Sequence, residues 1–432
     1  MCEGIFKNAL NIFKILNFFI GKSNCKLEGA KLLMNTEMAR TGNLQLMKEI
    51  NQALIFNAIR EKGPLSRSQL AKDLRLSPST ATVIVDHFIA NGFVEEVGKG
   101  DSSGGRKPIL VELAKDAGMV VAIDLEQSRA AILNMNAEFL ITKPIPDLKQ
   151  NDLIAILLDV IHEMVREVQG PRLLGIGIAV PGIIDPNKSR VITATSLKIN
   201  HLSLKEELER HFKVPTMLEN DANAAAYGEF LYGRSQNIHN FLYLHVGKAV
   251  GAGLFLSGNL FTGGAGGAGE FGHISVDQSG PSCHCGNTGC LGKLIGAEML
   301  MNQWRSWTGS EDAPSLAELV RLSNIGELDA VRLMDYAGEM LGRGIVTLVN
   351  LFNPSLILIG GELALNNERL FDQVKKHVKT RNMRVFSEHV QIEECLTRLN
   401  AGIIGAGSLA LNHFFQNVSF EMEDRTERAP HV

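Results

Sequence analysis

The chain has 432 residues, of which 45% are hydrophobic and 21% charged, with a formal net charge of -4 at pH 7. That length is enough for two or three domains with a sizeable core, and the composition is that of a globular protein. The small negative charge excludes a basic field over the whole chain, so a nucleic-acid-binding part has to be a minority module.

Ile5 to Ile20 is apolar but interrupted by Lys7, Asn8, Asn11, Lys14 and Asn17. It is too short and too polar for a membrane span, and no small-residue cleavage pattern follows a clean apolar core. Residues 1–42 are expected to be an N-terminal extension. Either they are a disordered or weakly helical tail, or they precede a true start at Met34 or Met38.

Residues 43–113 read as a winged helix-turn-helix. Leu46, Ile50, Leu54, Ile55, Ala58 and Ile59 recur at helical spacing, and Gly63-Pro64 ends that helix. Ser66 and Gln69 make a capping-box signature for a second helix. Ser77-Pro78 opens a third, with serine at the N-cap and proline at the first helical position. Ala81, Ile84, Val85 and Phe88 give that helix its buried face. Phe93 to Val97 and Ile109 to Leu113 are expected as wing strands. The third helix would offer Ser79, Thr80, Thr82 and Val83 to base edges in the major groove. The wing tip, Ser102-Ser103-Gly104-Gly105-Arg106-Lys107-Pro108, brings Arg106 and Lys107 to phosphates or a narrow minor groove. Operator DNA is the expected partner, bound by a homodimer or higher homo-oligomer because two half-sites multiply specificity.

From Gly118 the pattern changes. Val120 to Leu125, Ala130 to Leu133, Leu174 to Val180 and Pro215 to Glu219 read as strands, the last running into Asn220-Asp221. A second half restarts with Phe241 to Val246, Gly253 to Leu256 and Leu356 to Gly361. Helical periodicity lies between, as in Ser315 to Leu322 and Met334 to Asn350. Alternating strands and helices in two halves predict two α/β lobes with a cleft between them.

Glu270 to Cys290 carries the most specific chemistry. Nine residues separate His273 from Cys283, one separates Cys283 from Cys285, and four separate Cys285 from Cys290. Three thiolates and one imidazole are a tetrahedral donor set for Zn²⁺, closed to water. Gly280, Gly286 and Gly289 permit the tight turns needed. Three of the six cysteines crowd into eight residues, which favours a metal in a reducing cytoplasm over a disulfide framework.

Gly-Glu-Phe-Gly-His followed by Cys-x-Cys-Gly-x-x-Gly-Cys resembles the signature of the ROK family (repressors, open reading frames and sugar kinases). Similarity runs from about Gly42 to the C-terminal helix, Ala401 to Phe415. The resemblance implies an actin-like, hexokinase-like ATPase fold over residues 118–416, with residues 417–432 as a tail. It implies a sugar site at Asn220, Asp221, Glu270 and His273, beside the zinc loop of His273, Cys283, Cys285 and Cys290. Ser66-Arg67 and the Gly-Gly-Arg-Lys-Pro wing resemble the DNA-binding half of the family's repressors. One departure stands out: a second family glutamate, two residues after the last zinc cysteine, is here Gly292.

The phosphate turns of the family's kinases are altered. The first, normally Asp-x-Gly-Gly-Thr, is Asp124-Leu125-Glu126-Gln127-Ser128. The second, normally Gly-Thr-Gly-x-Gly, is Gly247-Lys248-Ala249-Val250-Gly251. Without those glycines backbone amides cannot approach a phosphate closely, and Glu126 repels it. The expectation is therefore a cytoplasmic, sugar-responsive DNA-binding regulator with zinc and no catalytic residues. The alternative is a ROK-type sugar kinase with Asp221 as general base.

Overall fold

The structure, a computed structural model, describes residues 37–100, 107–146, 152–236 and 238–416. The extension before residue 37, the wing tip from Ser102 to Arg106 and the tail after residue 416 lie outside the described residues. By compactness the chain divides into one unit of residues 1–56 and 418–432 and another of residues 57–417. Helix α1 (Glu37–Lys62) begins in the first unit and ends in the second.

A three-stranded sheet and two helices follow α1. They are β1 (Leu65–Ser66), α2 (Arg67–Asp73), α3 (Pro78–Ala90), β2 (Val94–Lys99) and β3 (Ile109–Leu113), with the strands in the order β1-β3-β2. Both expected caps form: the Ser66 hydroxyl accepts from Gln69 N at 3.1 Å and the Ser77 hydroxyl from Thr80 N at 3.0 Å. Only half of the capping box forms, because the Gln69 amide turns along the helix and donates to Asp73 instead. Ala81, Ile84, Val85 and Phe88 are buried as the periodicity predicts.

The first large sheet holds β4 (Gly118–Asp124), β5 (Arg129–Asn134), β6 (Phe139–Pro144), β7 (Arg172–Val180) and β11 (Thr216–Asn220), ordered β11-β7-β4-β5-β6. β4 is buried along its whole length because helices cover both of its faces. On one side α4 (Leu153–Glu167) and α5 (Leu204–Phe212) contribute Leu157, Ile161, Leu204 and Leu208 to the core. A small antiparallel sheet of β8 (Ile183–Ile184), β9 (Val191–Ala194) and β10 (Ile199–Leu202) follows β7.

Helix α6 (Asp221–Tyr232) links this half to the second sheet. That sheet holds β12 (Phe241–Val246), β13 (Val250–Leu256), β14 (Asn259–Leu260), β15 (Leu356–Gly360) and β16 (Gln391–Glu394), ordered β14-β13-β12-β15-β16. Phe230 of α6 stacks on Phe255 of β13 at 4.6 Å between ring centroids. The far face packs on α7 (Ala297–Thr308), α8 (Leu316–Asn324), α9 (Leu328–Phe352) and α10 (Glu368–Arg381).

The last helix, α11 (Ala401–Gln416), returns to the first sheet. Its small residues let it press on bare backbone. A Cβ on Gly177 of β7 would stand 1.8 Å from Ala406 O, and one on Gly405 would stand 1.7 Å from Ala224 O of α6. At its far end Phe414 meets Phe93 of the winged helix at 5.7 Å, and the Arg60 guanidinium lies 4.7 Å from the Phe415 ring centroid. Because no side chain can enter these backbone contacts, Gly405→Ala must push α11 off α6. Overpacking of this kind costs ~1–3 kcal/mol. Thermal unfolding should show a clear drop in Tm, and a variant as stable as wild type would show that the contact is not tight.

Candidate functional site

The thiol and imidazole cluster forms where the spacing predicts it. One donor atom from each of His273, Cys283, Cys285 and Cys290 lies within 4.8 Å of all the others. His273 Nδ1 is 3.5 Å from Cys283 Sγ, and Cys285 Sγ is 3.6 Å from Cys290 Sγ. Zinc–sulfur bonds of ~2.3 Å in a tetrahedron give sulfur–sulfur edges of about 3.8 Å, so these separations fit one ion. Burial pushes the Cys290 thiol up to about 12, so a cation is needed to hold all three sulfurs as thiolates. Gly289, at φ +63°, brings the loop against Asp277 O.

His273 faces two ways. Its Nδ1 points to the thiols, while Nε2 lies 4.0 Å from Glu270 Oε2. One imidazole can therefore hold a metal on one nitrogen and bond a ligand beside Glu270 with the other. Burial raises the Glu270 carboxyl above its usual range. Gly292, where the family's further glutamate is missing, sits close behind this group: a Cβ there would meet Gly272 O at 3.3 Å.

Asn220 and Asp221 stand at the junction of β11 and α6. The Asn220 amide is more occupied than the sequence suggests. Its oxygen accepts from Asn223 N at 3.1 Å, capping α6, and its nitrogen donates to Gly182 O at 3.1 Å. One N–H and one lone pair remain for a ligand. Glu219, buried beside it, accepts from Asn223 Nδ2 and pairs with Lys188. Asp221 is surrounded by low-dielectric protein, and burial pushes its carboxyl up to about 7, while His245 opposes the rise and Glu126 and Asp124 add to it. The segments carrying the two residue pairs both pack on β13. The Ala222 carbonyl lies under Gly253, and the carbonyls of Val250 and Ala252 lie under Gly272 and Gly269.

The first altered phosphate turn borders a small cavity. The cavity lined by Asp124, Glu126, Asp221, Tyr243, His245 and Arg398 measures only about 20 Å³, room for one water. Glu126, 7% exposed, is part of its wall, with its carboxylate 3.8 Å from His245 Nε2 and its carbonyl accepting from Lys248 Nζ at 3.1 Å. Burial holds Asp124 up, to about 6. The sequence pointed to lost glycines here; it did not point to His245 as the partner of Glu126.

On the winged helix, Ser79, Thr82 and Val83 are exposed on α3 and Thr80 is half-buried. The hydroxyls are engaged locally: Ser79 and Thr80 with Ser77 Oγ at 2.8 and 2.7 Å, and Thr82 with Pro78 O at 2.8 Å. Val83, 57% exposed, is the free apolar contact, of the kind that meets a thymine methyl. Lys107 is exposed, and Arg106 lies outside the described residues. Arg67, part of the Ser66-Arg67 pair that resembles the family's repressors, is held by carboxylates. It is tied to Asp86 at 2.7 Å and Glu96 at 3.0 Å, pinning α2 to α3 and the wing.

The ROK family profile matches residues 120–413, and a MarR family profile matches residues 49–97. The chain belongs to the ROK family. It is 31% identical over 378 residues to the xylose repressor of Bacillus spizizenii, covering 86% of this chain and 97% of that one. A solved ROK family transcriptional regulator, a homologue of the Escherichia coli MLC protein, matches with a TM-score of 0.74 at 26% identity, over 86% of this chain and 97% of that one. A ROK family glucokinase from Streptomyces griseus, solved with glucose and AMPPNP, matches with a TM-score of 0.60 at 25% identity, over 68% of this chain and all of that one. The two sheets and α11 are thus the actin-like ROK fold, preceded by a winged helix-turn-helix.

The Asp221 geometry makes a signed prediction. A carboxyl held near pH 7 rather than 3.8 favours the protonated folded state. Its contribution to stability is full in acid and is lost as pH rises through about 7. At ~1.4 kcal/mol per unit the loss is at most ~4 kcal/mol. Asp221→Asn should match wild type in thermal unfolding at pH 4 and exceed it at pH 8. An equal difference at both values would mean that the carboxyl is not desolvated.

Proposed function

We propose that this ROK chain is a sugar-responsive DNA-binding transcriptional regulator, a repressor of carbohydrate uptake or catabolism genes that a sugar inducer releases. The observation that carries this is the pairing, in one chain, of an exposed face of α3 with a first phosphate turn whose Glu126 is buried against His245 and Lys248 of the opposite sheet. Residues 43–113 bind operator DNA through Ser79, Thr80, Thr82, Val83, Arg106 and Lys107. Two copies engage two half-sites. Residues 118–416 bind the sugar through Asn220, Asp221, Glu270 and His273. The sugar bridges α6 and the zinc loop and favours a closed cleft, shifting the equilibrium only by its differential affinity for the two states.

His273, Cys283, Cys285 and Cys290 hold zinc. The ion supplies folding free energy to the loop and aims His273 Nε2 at the sugar. Purified protein should carry about one zinc per chain, as a closed four-ligand site requires. Cys285→Ser should lose both the metal and the sugar response. Zinc-free protein that still responds would remove the metal from the proposal.

The kinase alternative has one observation in its favour. A carboxyl poised near pH 7, as at Asp221, suits a general base. Transfer still needs positioned phosphates, and the cavity there is about 20 Å³. Operator binding with and without D-xylose and other pentoses and hexoses tests the regulator, alongside ATP consumption with the same sugars. Wild type should release operator with one of them and consume no ATP. Asp221→Asn should bind operator normally and respond more weakly, by ~1.5–3 kcal/mol for one charged hydrogen bond. Turnover above background overturns the regulator reading, and an unimpaired Asp221→Asn removes Asp221 from the pocket.

A further inference from the structure

The cleft between the two large sheets is closed by protein side chains at the place where the family's kinases hold nucleotide phosphates. Glu126 belongs to the turn between β4 and β5, in the first sheet. His245 is in β12 and Lys248 in the turn between β12 and β13, in the second sheet. The Lys248 ammonium donates to Glu126 O at 3.1 Å across 122 residues of chain. Glu126 Oε1 and His245 Nε2 lie 3.8 Å apart, and neither has a hydrogen-bond partner elsewhere among the described residues. A buried carboxylate and a buried imidazole left alone would each cost free energy, so their stability depends on the two sheets staying together. Asp221, the residue assigned to the sugar, lines the same cavity as His245 and shares its field.

We propose that Glu126, His245 and Lys248 form a clasp between the lobes that replaces a bound nucleotide and holds the cleft in its sugar-binding closure. This rests on the sugar reading of Asp221. A kinase of this fold can draw its lobes together around phosphates and metal. In this chain Glu126 lies there instead, its carboxylate 3.8 Å from the histidine and its carbonyl accepting from the lysine opposite. Because His245 faces both Glu126 and Asp221, a sugar that stabilises the Asp221 carboxylate also favours the charged imidazole that grips Glu126. Closure and sugar binding then reinforce each other, and the coupling is reciprocal.

The test uses the full chain without sugar, as wild type, Lys248→Met, Glu126→Gln and Lys248→Arg. Among the described residues Lys248 donates across the cleft to the Glu126 carbonyl alone, so Lys248→Met removes that bond of the clasp without touching the sugar residues, and it covers the case in which Glu126→Gln fails to fold. Small-angle scattering should show a larger radius of gyration for Lys248→Met and Glu126→Gln. Lys248→Arg, which still donates, should stay at the wild-type value. Affinity for the active sugar, with D-xylose the first probe, should fall about tenfold in the two opened variants, equivalent to one charge-assisted bond. An unchanged radius in both variants overturns the clasp, and so does weaker binding without expansion, because the residues would then act on the pocket directly. Expansion in the variants together with a wild type that binds no pentose or hexose supports the clasp and sinks the sugar reading instead.

Discussion

Burying negative charge is the constraint on which the middle of this protein depends. Asp124, Glu126 and Asp221 converge on one small cavity near the ends of β4 and α6, with Asp124 and Glu126 buried. Two of them respond by holding their protons to unusually high pH, Asp124 to about 6 and Asp221 to about 7. The third, Glu126, is held below its usual range against the cost of burial by His245 and Lys248. One imidazole and one ammonium thus hold the Glu126 carboxyl down against its burial.

Much of this architecture was legible in the sequence, for physical reasons. Strands covered on both faces are apolar throughout, so β4, β7, β12 and β15 announced themselves. The metal cluster was legible because its donors lie within one loop and spacing alone carries their geometry. Caps at Ser66 and Ser77 were legible because they are local. Edge and short strands were not: β6 has no buried residue and no apolar-polar alternation, β16 is half charged, and β8 to β10 are two to four residues long.

Interactions between distant residues were the real limit. Nothing at Arg67 foretells its two carboxylates, 19 and 29 residues on. The Asn220 amide looked free for a ligand because its partner, Gly182 O, lies 38 residues away. Glu126 looked like an obstacle to phosphate, and it is also half of a contact with His245. In each case the residue type was read correctly as polar and important, while its partner was set by tertiary packing.

Helix α11 has a mechanical consequence. At one end Gly402 lies against the Asp124 carboxylate, and at the other Phe414 and Phe415 meet Phe93 and Arg60 of the winged helix. Sixteen residues at ~1.5 Å each make a rod of about 24 Å. Its backbone contacts with β7 and α6 forbid it to slide or roll on its own, so it turns only with the sheet beneath it. A tilt of about 5° at the cleft then swings the aromatic end by roughly 2 Å, the size of shift that repacks an interface between helices. The helix acts as a lever with its fulcrum among the buried carboxylates, and its stiffness comes from the side chains its glycines lack.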